Sequence, residues 1–120
     1  MFNNVFSGLI SSLSVDVAID LGTSNTYIYV KGRGVACREP TVVAVHQNGR
    51  GERQVIGVGR EAKAMLGRTP NDIQVIRPVR DGVVADFEIT EALLRHLVKG
   101  VIGRGGVAGP RAMVCIPYGT

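Results

Sequence analysis

Along VDVAIDLGTSNTYIYV, Val15–Val30, apolar residues run on either side of one short polar stretch, Gly22-Thr23-Ser24-Asn25. Two apolar runs about a short polar turn predict a β-hairpin. Val15, Val17, Ile19 and Leu21 then share one face, and Asp16, Ala18 and Asp20 the other. Upstream the period changes. Phe2, Val5, Phe6, Leu9, Ile10 and Leu13 recur at helical spacing, with Asn3, Asn4, Ser7, Ser11 and Ser12 opposite, so Met1–Leu13 predicts an amphipathic helix. Downstream, Lys31-Gly32-Arg33-Gly34 predicts a turn, Val35–Arg38 a continuation of the sheet, and Thr41–His46, led in by Pro40, a third strand. Gln47–Arg53 is a polar loop and Gln54–Val58 a short strand. Arg60–Leu66 predicts a helix closed by Gly67. Thr69-Pro70-Asn71-Asp72 turns into a strand over Ile73–Ile76 that Pro78 ends, and Asp81-Gly82 turns the chain into Val83-Val84-Ala85. Thr90 is the expected N-cap of a helix reaching Ile102, with Glu91 near its N-terminus. Leu93, Leu94, Leu97, Val98, Val101 and Ile102 form its core face. Gly103-Arg104-Gly105-Gly106 is expected to stop it, and Arg111–Ile116 is the last strand.

Strands, a small strand–helix–strand insert, a helix and a strand make an α/β chain with a mixed sheet. Its 120 residues suit one small domain, and 45% apolar with 20% charged residues argues for a folded core rather than disorder. The net charge is +4, and its arginines are scattered without interleaved aromatics, which argues against a nucleic-acid interface. Mild positive charge favours an anionic membrane surface instead. Cys37 and Cys115 sit in apolar runs, without metal-ligand spacing, and read as buried thiols in a reducing cytoplasm. His46 and His96 have no matching ligand set. No window is long enough to span a membrane, and a secretory signal's basic n-region and long apolar core are absent.

The hairpin carries the candidate chemistry. Asp20 sits where an otherwise buried strand meets the turn, and a carboxylate there is costly unless a cation, water or donors satisfy it. Gly22 removes a side chain where an anion would approach the backbone, and successive N–H groups of a tight turn cradle phosphate oxygens. Thr23, Ser24 and Thr26 add hydroxyls, and Asp20 is placed to hold Mg²⁺ through water. Residue spacing alone favours a plain hairpin with a polar tip, because short motifs recur by chance. Met1–Leu13 likewise has two readings: a helix docked on its own domain, or one lying in a membrane interface.

IDLGTSNTYIYVKGRG (Ile19–Gly34) resembles the first phosphate motif of the actin-like ATPases. EPTVVAV (Glu39–Val45), VGREAKAMLGRTP (Val58–Pro70), IRPVRDGVVADFEIT (Ile76–Thr90) and MVCIPYGT (Met113–Thr120) follow in the order found in the MreB family of bacterial cell-shape actins. The resemblance covers nearly the whole chain from Val15. It implies an actin-like, ribonuclease H-like fold, with this chain an N-terminal piece forming the first half of domain I. Residues 14–43 and 86–120 would belong to subdomain IA, and 44–85 to subdomain IB, which faces the neighbouring subunit of a protofilament. The implied cofactors are ATP and Mg²⁺, with Gly22, Thr23, Ser24, Asn25 and Thr26 around the phosphates and Asp20 at the metal. The implied function is a membrane-associated, ATP-dependent filament that sets rod shape by organising cell-wall synthesis. It would lie in the cytoplasm on the inner face of the membrane, attached through Phe2, Val5, Phe6, Leu9, Ile10 and Leu13. The implied partners are other copies of itself, that membrane surface, and cell-wall synthesis and membrane morphogenesis proteins. ATP hydrolysis would be slow in the whole protein and absent from this piece alone, because the second phosphate motif and the adenosine-binding segment lie past Thr120. The DLGT hairpin also suits a heat-shock-type ATPase chaperone or a sugar kinase; the GREAKAMLGRTP block and the N-terminal segment stand against both.

Overall fold

The computed structural model describes residues 17–68, 72–105 and 113–118. The expected N-terminal helix, with Phe2, Val5, Phe6, Leu9, Ile10 and Leu13, lies outside the described residues, as do Thr69-Pro70-Asn71 and Gly106. In chain order the elements are β1 (Val17–Gly22), β2 (Asn25–Val30), β3 (Gly34–Pro40), β4 (Val43–Gln47), β5 (Arg53–Val58), α1 (Arg60–Ala64), β6 (Ile73–Ile76), β7 (Val79–Arg80), β8 (Val83–Val84), α2 (Phe87–Gly105) and β9 (Met113–Tyr118).

The first three strands form an antiparallel meander, and β9 adds parallel to β1, giving the order β3-β2-β1-β9. The sheet is therefore mixed, as the pattern predicts. β1 is buried along its whole length. Its Val17, Ile19 and Leu21 meet Ile89, Leu93 and Leu97 of α2, whose helical spacing sets one apolar stripe on the sheet. A second, antiparallel sheet has the order β5-β4-β6. Val43, Val45 and Val58 join the same core, while Val42 and Ala44 pack beneath Ala62 of α1 on the other side. Each fully buried Ile, Leu or Val in this core contributes about 1.5–3 kcal/mol.

The long helix begins earlier than its apolar pattern implies. Asp86, not Thr90, is the N-cap: its Oδ1 accepts the Ile89 N–H at 3.1 Å. Thr90 is inside the helix, and its hydroxyl donates to the Asp86 carbonyl at 2.7 Å. Glu91 thus lies beyond the first turn and pairs with Arg95 one turn on. The helix runs past Ile102 and ends at Gly105, inside the Gly103-Arg104-Gly105-Gly106 stretch expected to stop it; Gly103 inside the helix costs only about 1 kcal/mol and yields to tertiary context. The shorter helix ends at Ala64 with Met65 as its cap, while Gly67 takes the left-handed conformation (φ 74°) just beyond.

Arg53 of β5 joins the second sheet to the start of α2, donating to Asp86 Oδ2 at 2.9 Å and to Glu88 Oε2 at 3.5 Å. β7 and β8 form a minimal hairpin, with Asp81 (φ 53°) and Gly82 (φ 76°) both left-handed at its turn. Positive φ at both central residues is the two-residue turn that matches strand twist, and Asp-Gly suits it.

Candidate functional site

Antiparallel pairing sets Leu21 opposite Thr26 and Asp20 opposite Tyr27, leaving Gly22-Thr23-Ser24-Asn25 as the connection at one end of the sheet. Register then decides which side chains share a face. Asp20 lies with Tyr27, and Ala18 with Tyr29, on the face away from α2. Thr26 lies with Leu21 on the opposite face.

Asp20 is only 5% exposed, and its Oδ1 has no hydrogen-bond partner among the described residues. Burial raises its pKa above the ordinary carboxylate value. Tyr29 is pushed up as well, first by burial, then by the negative charge of Asp20 and by Tyr27. A buried carboxylate with an unmatched oxygen costs free energy, and a cation or its bound water removes that cost. Among the described residues no group of three or more His, Cys, Asp or Glu gathers as a cage. One carboxylate beside a polar turn nevertheless fits Mg²⁺, which keeps most of its waters and uses one or two carboxylates together with ligand phosphates.

The turn is anchored from outside the hairpin. Thr23 Oγ1 accepts the Gly82 N–H at 2.9 Å, so the Asp81-Gly82 turn is docked against it. With its lone pair so engaged, the Thr23 hydroxyl proton is left to donate elsewhere. Ser24 is exposed, and its carbonyl accepts the Thr41 N–H at 2.9 Å; Asn25 is half-buried opposite Pro40. Thr26 is the exception among the expected phosphate contacts. It is fully buried, and its hydroxyl is hydrogen-bonded to Thr41 Oγ1 at 2.8 Å. Its side chain braces the turn from behind, on the face opposite Asp20. The structure thus brings Asp20, Gly22, Thr23, Ser24 and Asn25 to one end of the sheet and sets the Thr26 side chain apart.

Two neighbours of the site, Tyr29 and Gly82, lie outside the residues that the sequence pattern singles out. Tyr29 was readable, since a short hairpin connection fixes the register that puts it on the Asp20 face. The Gly82 contact was not, because it joins residues far apart in sequence and no local pattern encodes it.

Comparison with known proteins gives a consistent result. The family model described as "MreB/Mbl protein" matches residues 14–120. The chain is 49% identical over 117 residues to the cell shape-determining protein MreB of Escherichia coli (strain K12), covering 96% of this chain and 33% of that protein. It is 48% identical over 102 residues to the cell shape-determining protein Mbl of Bacillus subtilis (strain 168), covering 85% and 30%. The chain therefore spans about a third of the length of these relatives. Among solved structures, MreB5 of Spiroplasma citri bound to AMPPNP superposes with a TM-score of 0.65 at 34% identity, over 78% of this chain and 26% of that one. The ADP-bound form of MreB5 gives 0.61 at 28% identity, over 82% and 36%.

Proposed function

The chain belongs to the MreB/Mbl family, and from that premise we propose that it supplies one wall of an ATP site in a cytoskeletal protein that polymerises into shape-determining filaments. The observation that carries the reading is the buried, unmatched Asp20 Oδ1 beside the Gly22-Thr23-Ser24-Asn25 turn. Backbone N–H groups of that turn, with the Thr23 and Ser24 hydroxyls, bind phosphate oxygens. Asp20 holds Mg²⁺ through water, and Thr26 acts from behind through Thr41. Bound Mg²⁺ neutralises phosphate charge. The nucleotide in the MreB5 structures supports this assignment.

The four-stranded sheet and α2 fall to subdomain IA, residues 14–43 and 86–120. Residues 44–85 form subdomain IB, which faces the next subunit along the filament. The six apolar residues of Met1–Leu13 attach the filament to the inner face of the cytoplasmic membrane, where it organises cell-wall synthesis and meets the proteins that carry it out. Sedimentation of the full-length protein tests the reading. Pelleting that requires ATP and Mg²⁺ supports it, whereas a monomer that turns over ATP only with a peptide or a sugar acceptor refutes it in favour of a chaperone or kinase.

A further inference from the structure

Three edge strands of the two larger sheets have described side chains: β3, β5 and β6. An edge leaves backbone N–H and C=O groups unpaired, and proteins blunt it with charge, bulges or proline. β3 and β5 are blunted in this way. Each carries a bulge, with Ala36 the extra residue in β3 and Ile56 in β5. Each also carries charge, Arg38 and Glu39 in β3 and Arg53 in β5. β6 has neither device. Its pairing with β4 is regular, and Ile73-Gln74-Val75-Ile76 holds no charge, glycine or proline.

Register decides which groups of β6 are free. The Gln47 N–H donates to the Asp72 carbonyl at 3.1 Å, and that pair continues the β4–β6 ladder by one residue. Hydrogen-bonded and non-hydrogen-bonded pairs alternate along an antiparallel ladder. Val45–Gln74 and Val43–Ile76 are therefore bonded pairs like Gln47–Asp72. The N–H and C=O of Ile73 and Val75 point away from β4, to the side where no strand of the described residues lies. Donors and acceptors two residues apart are what an incoming strand pairs with. Beyond them the edge turns basic. An open cleft of about 550 Å³ runs along Gln74, Val75 and Ile76 and is continued by Arg77 and Arg80. Both arginines are exposed and form no ion pair among the described residues. Asp72, at the other end of the strand, is engaged with His46 at 2.7 Å.

We propose that the outer edge of β6 is a docking site for an extended acidic segment of a partner protein, which adds as a fourth strand and sets its carboxylates against Arg77 and Arg80. Two complementarities identify the partner: strand backbone to strand backbone, and negative charge to two unpaired cations. The sheet is antiparallel throughout, so the added strand runs antiparallel to β6 and its acidic residues precede its strand-forming ones. The proposal is independent of the nucleotide reading, because β6 contributes no residue to that site.

The test is fluorescence anisotropy of a labelled peptide, two glutamates followed by alternating valine and threonine, with the full-length protein free of nucleotide. The peptide is expected to bind, and replacing its glutamates by lysines is expected to abolish binding. N-methylation of alternate amides should abolish it too, since charge and side chains stay while the donors go. Arg77→Gln with Arg80→Gln is expected to weaken binding about fivefold at low salt. A control carrying Arg50→Gln and Arg68→Gln, both exposed, leaves it unchanged. Val75→Pro removes an outward donor that takes no part in the β4 ladder, so it should fold and yet fail to bind. If the acidic peptide does not bind, or binds the Arg77/Arg80 variant and Val75→Pro as it binds the parent, the proposal is overturned. Equal binding of the lysine peptide overturns it as well. So does self-association through this edge in place of peptide binding, which would give the site to a second copy.

Discussion

Replacing Asp20 by Asn in the protein without nucleotide should stabilise it, and the gain should depend on pH. The carboxyl is buried, one oxygen has no partner, and burial raises its pKa. The folded state therefore holds the proton more tightly than the unfolded state does. Stability is greatest below the unfolded value of about 3.9, falls as pH rises towards the raised folded value, and stays low above it. Asn keeps the shape and does not titrate. The two proteins should match near pH 4 and diverge towards pH 7. An unmatched buried polar group costs about 1–3 kcal/mol, and the amide brings donors of its own, so a net gain of roughly 1–2 kcal/mol is expected at neutral pH. In a domain of this size that is a rise in Tm of about 4–10 °C. Thermal melts followed by circular dichroism at both pH values, with EDTA and no nucleotide, measure it. A lower Tm for Asp20→Asn at neutral pH would refute the reasoning, because it would mean the ionised carboxylate is satisfied within the fold.

Three further outcomes follow from the same contacts. Thr23→Val should remove the acceptor for the Gly82 N–H, costing about 1 kcal/mol and raising hydrogen exchange at Gly82, whereas Thr23→Ser should preserve both. Thr26→Val should cost about 1–3 kcal/mol by orphaning Thr41 Oγ1, and the Thr26→Val, Thr41→Val pair should cost less than the sum of the single changes in a double-mutant cycle. Asp86→Ala should cost more than the about 1 kcal/mol of a lost helix cap, since it also releases Arg53, while Asp86→Asn should keep the cap and lose only the charge pairing with Arg53. The Arg53 hydrogen bond, with help from the Ile89 N–H, lowers the Asp86 pKa. The stability linked to its charge is thus full above the ordinary carboxylate value and lost as pH falls through the lowered one, which acid titration of the melts should show.

The hairpin and its turn were legible because they are encoded locally, by two apolar runs and by Gly and Asn between them, whereas the parallel pairing of β1 with β9 joins residues far apart in sequence. Nor was the start of α2 legible. Phe87 is 83% exposed and falls off the apolar stripe, which Ile89 opens, and Thr90 before a leucine run looks like a cap although its hydroxyl serves the carbonyl of the true one. The Thr26 side chain was assigned to the turn by proximity in sequence, yet strand periodicity sends it to the face opposite Asp20. The β7 strand was missed because two residues after Pro78 give too short a pattern, even though Asp81-Gly82 marks the turn itself. Contacts such as Thr23 with Gly82, or Arg53 with Asp86, are made by the fold and leave no local trace.

Asp20 and the turn beside it are proposed to bind metal–nucleotide. Titration of the full-length protein with a fluorescent ATP analogue, with and without Mg²⁺ and with pelleting scored on the same samples, tests it most directly. Asp20→Ala and Asp20→Asn should each lower Mg²⁺-dependent affinity by about 10–100-fold, the range expected for a group holding a metal through its outer shell, and both should abolish pelleting. Nucleotide affinity and assembly that match the parent in both variants would contradict the claim and leave Asp20 a structural residue of the turn.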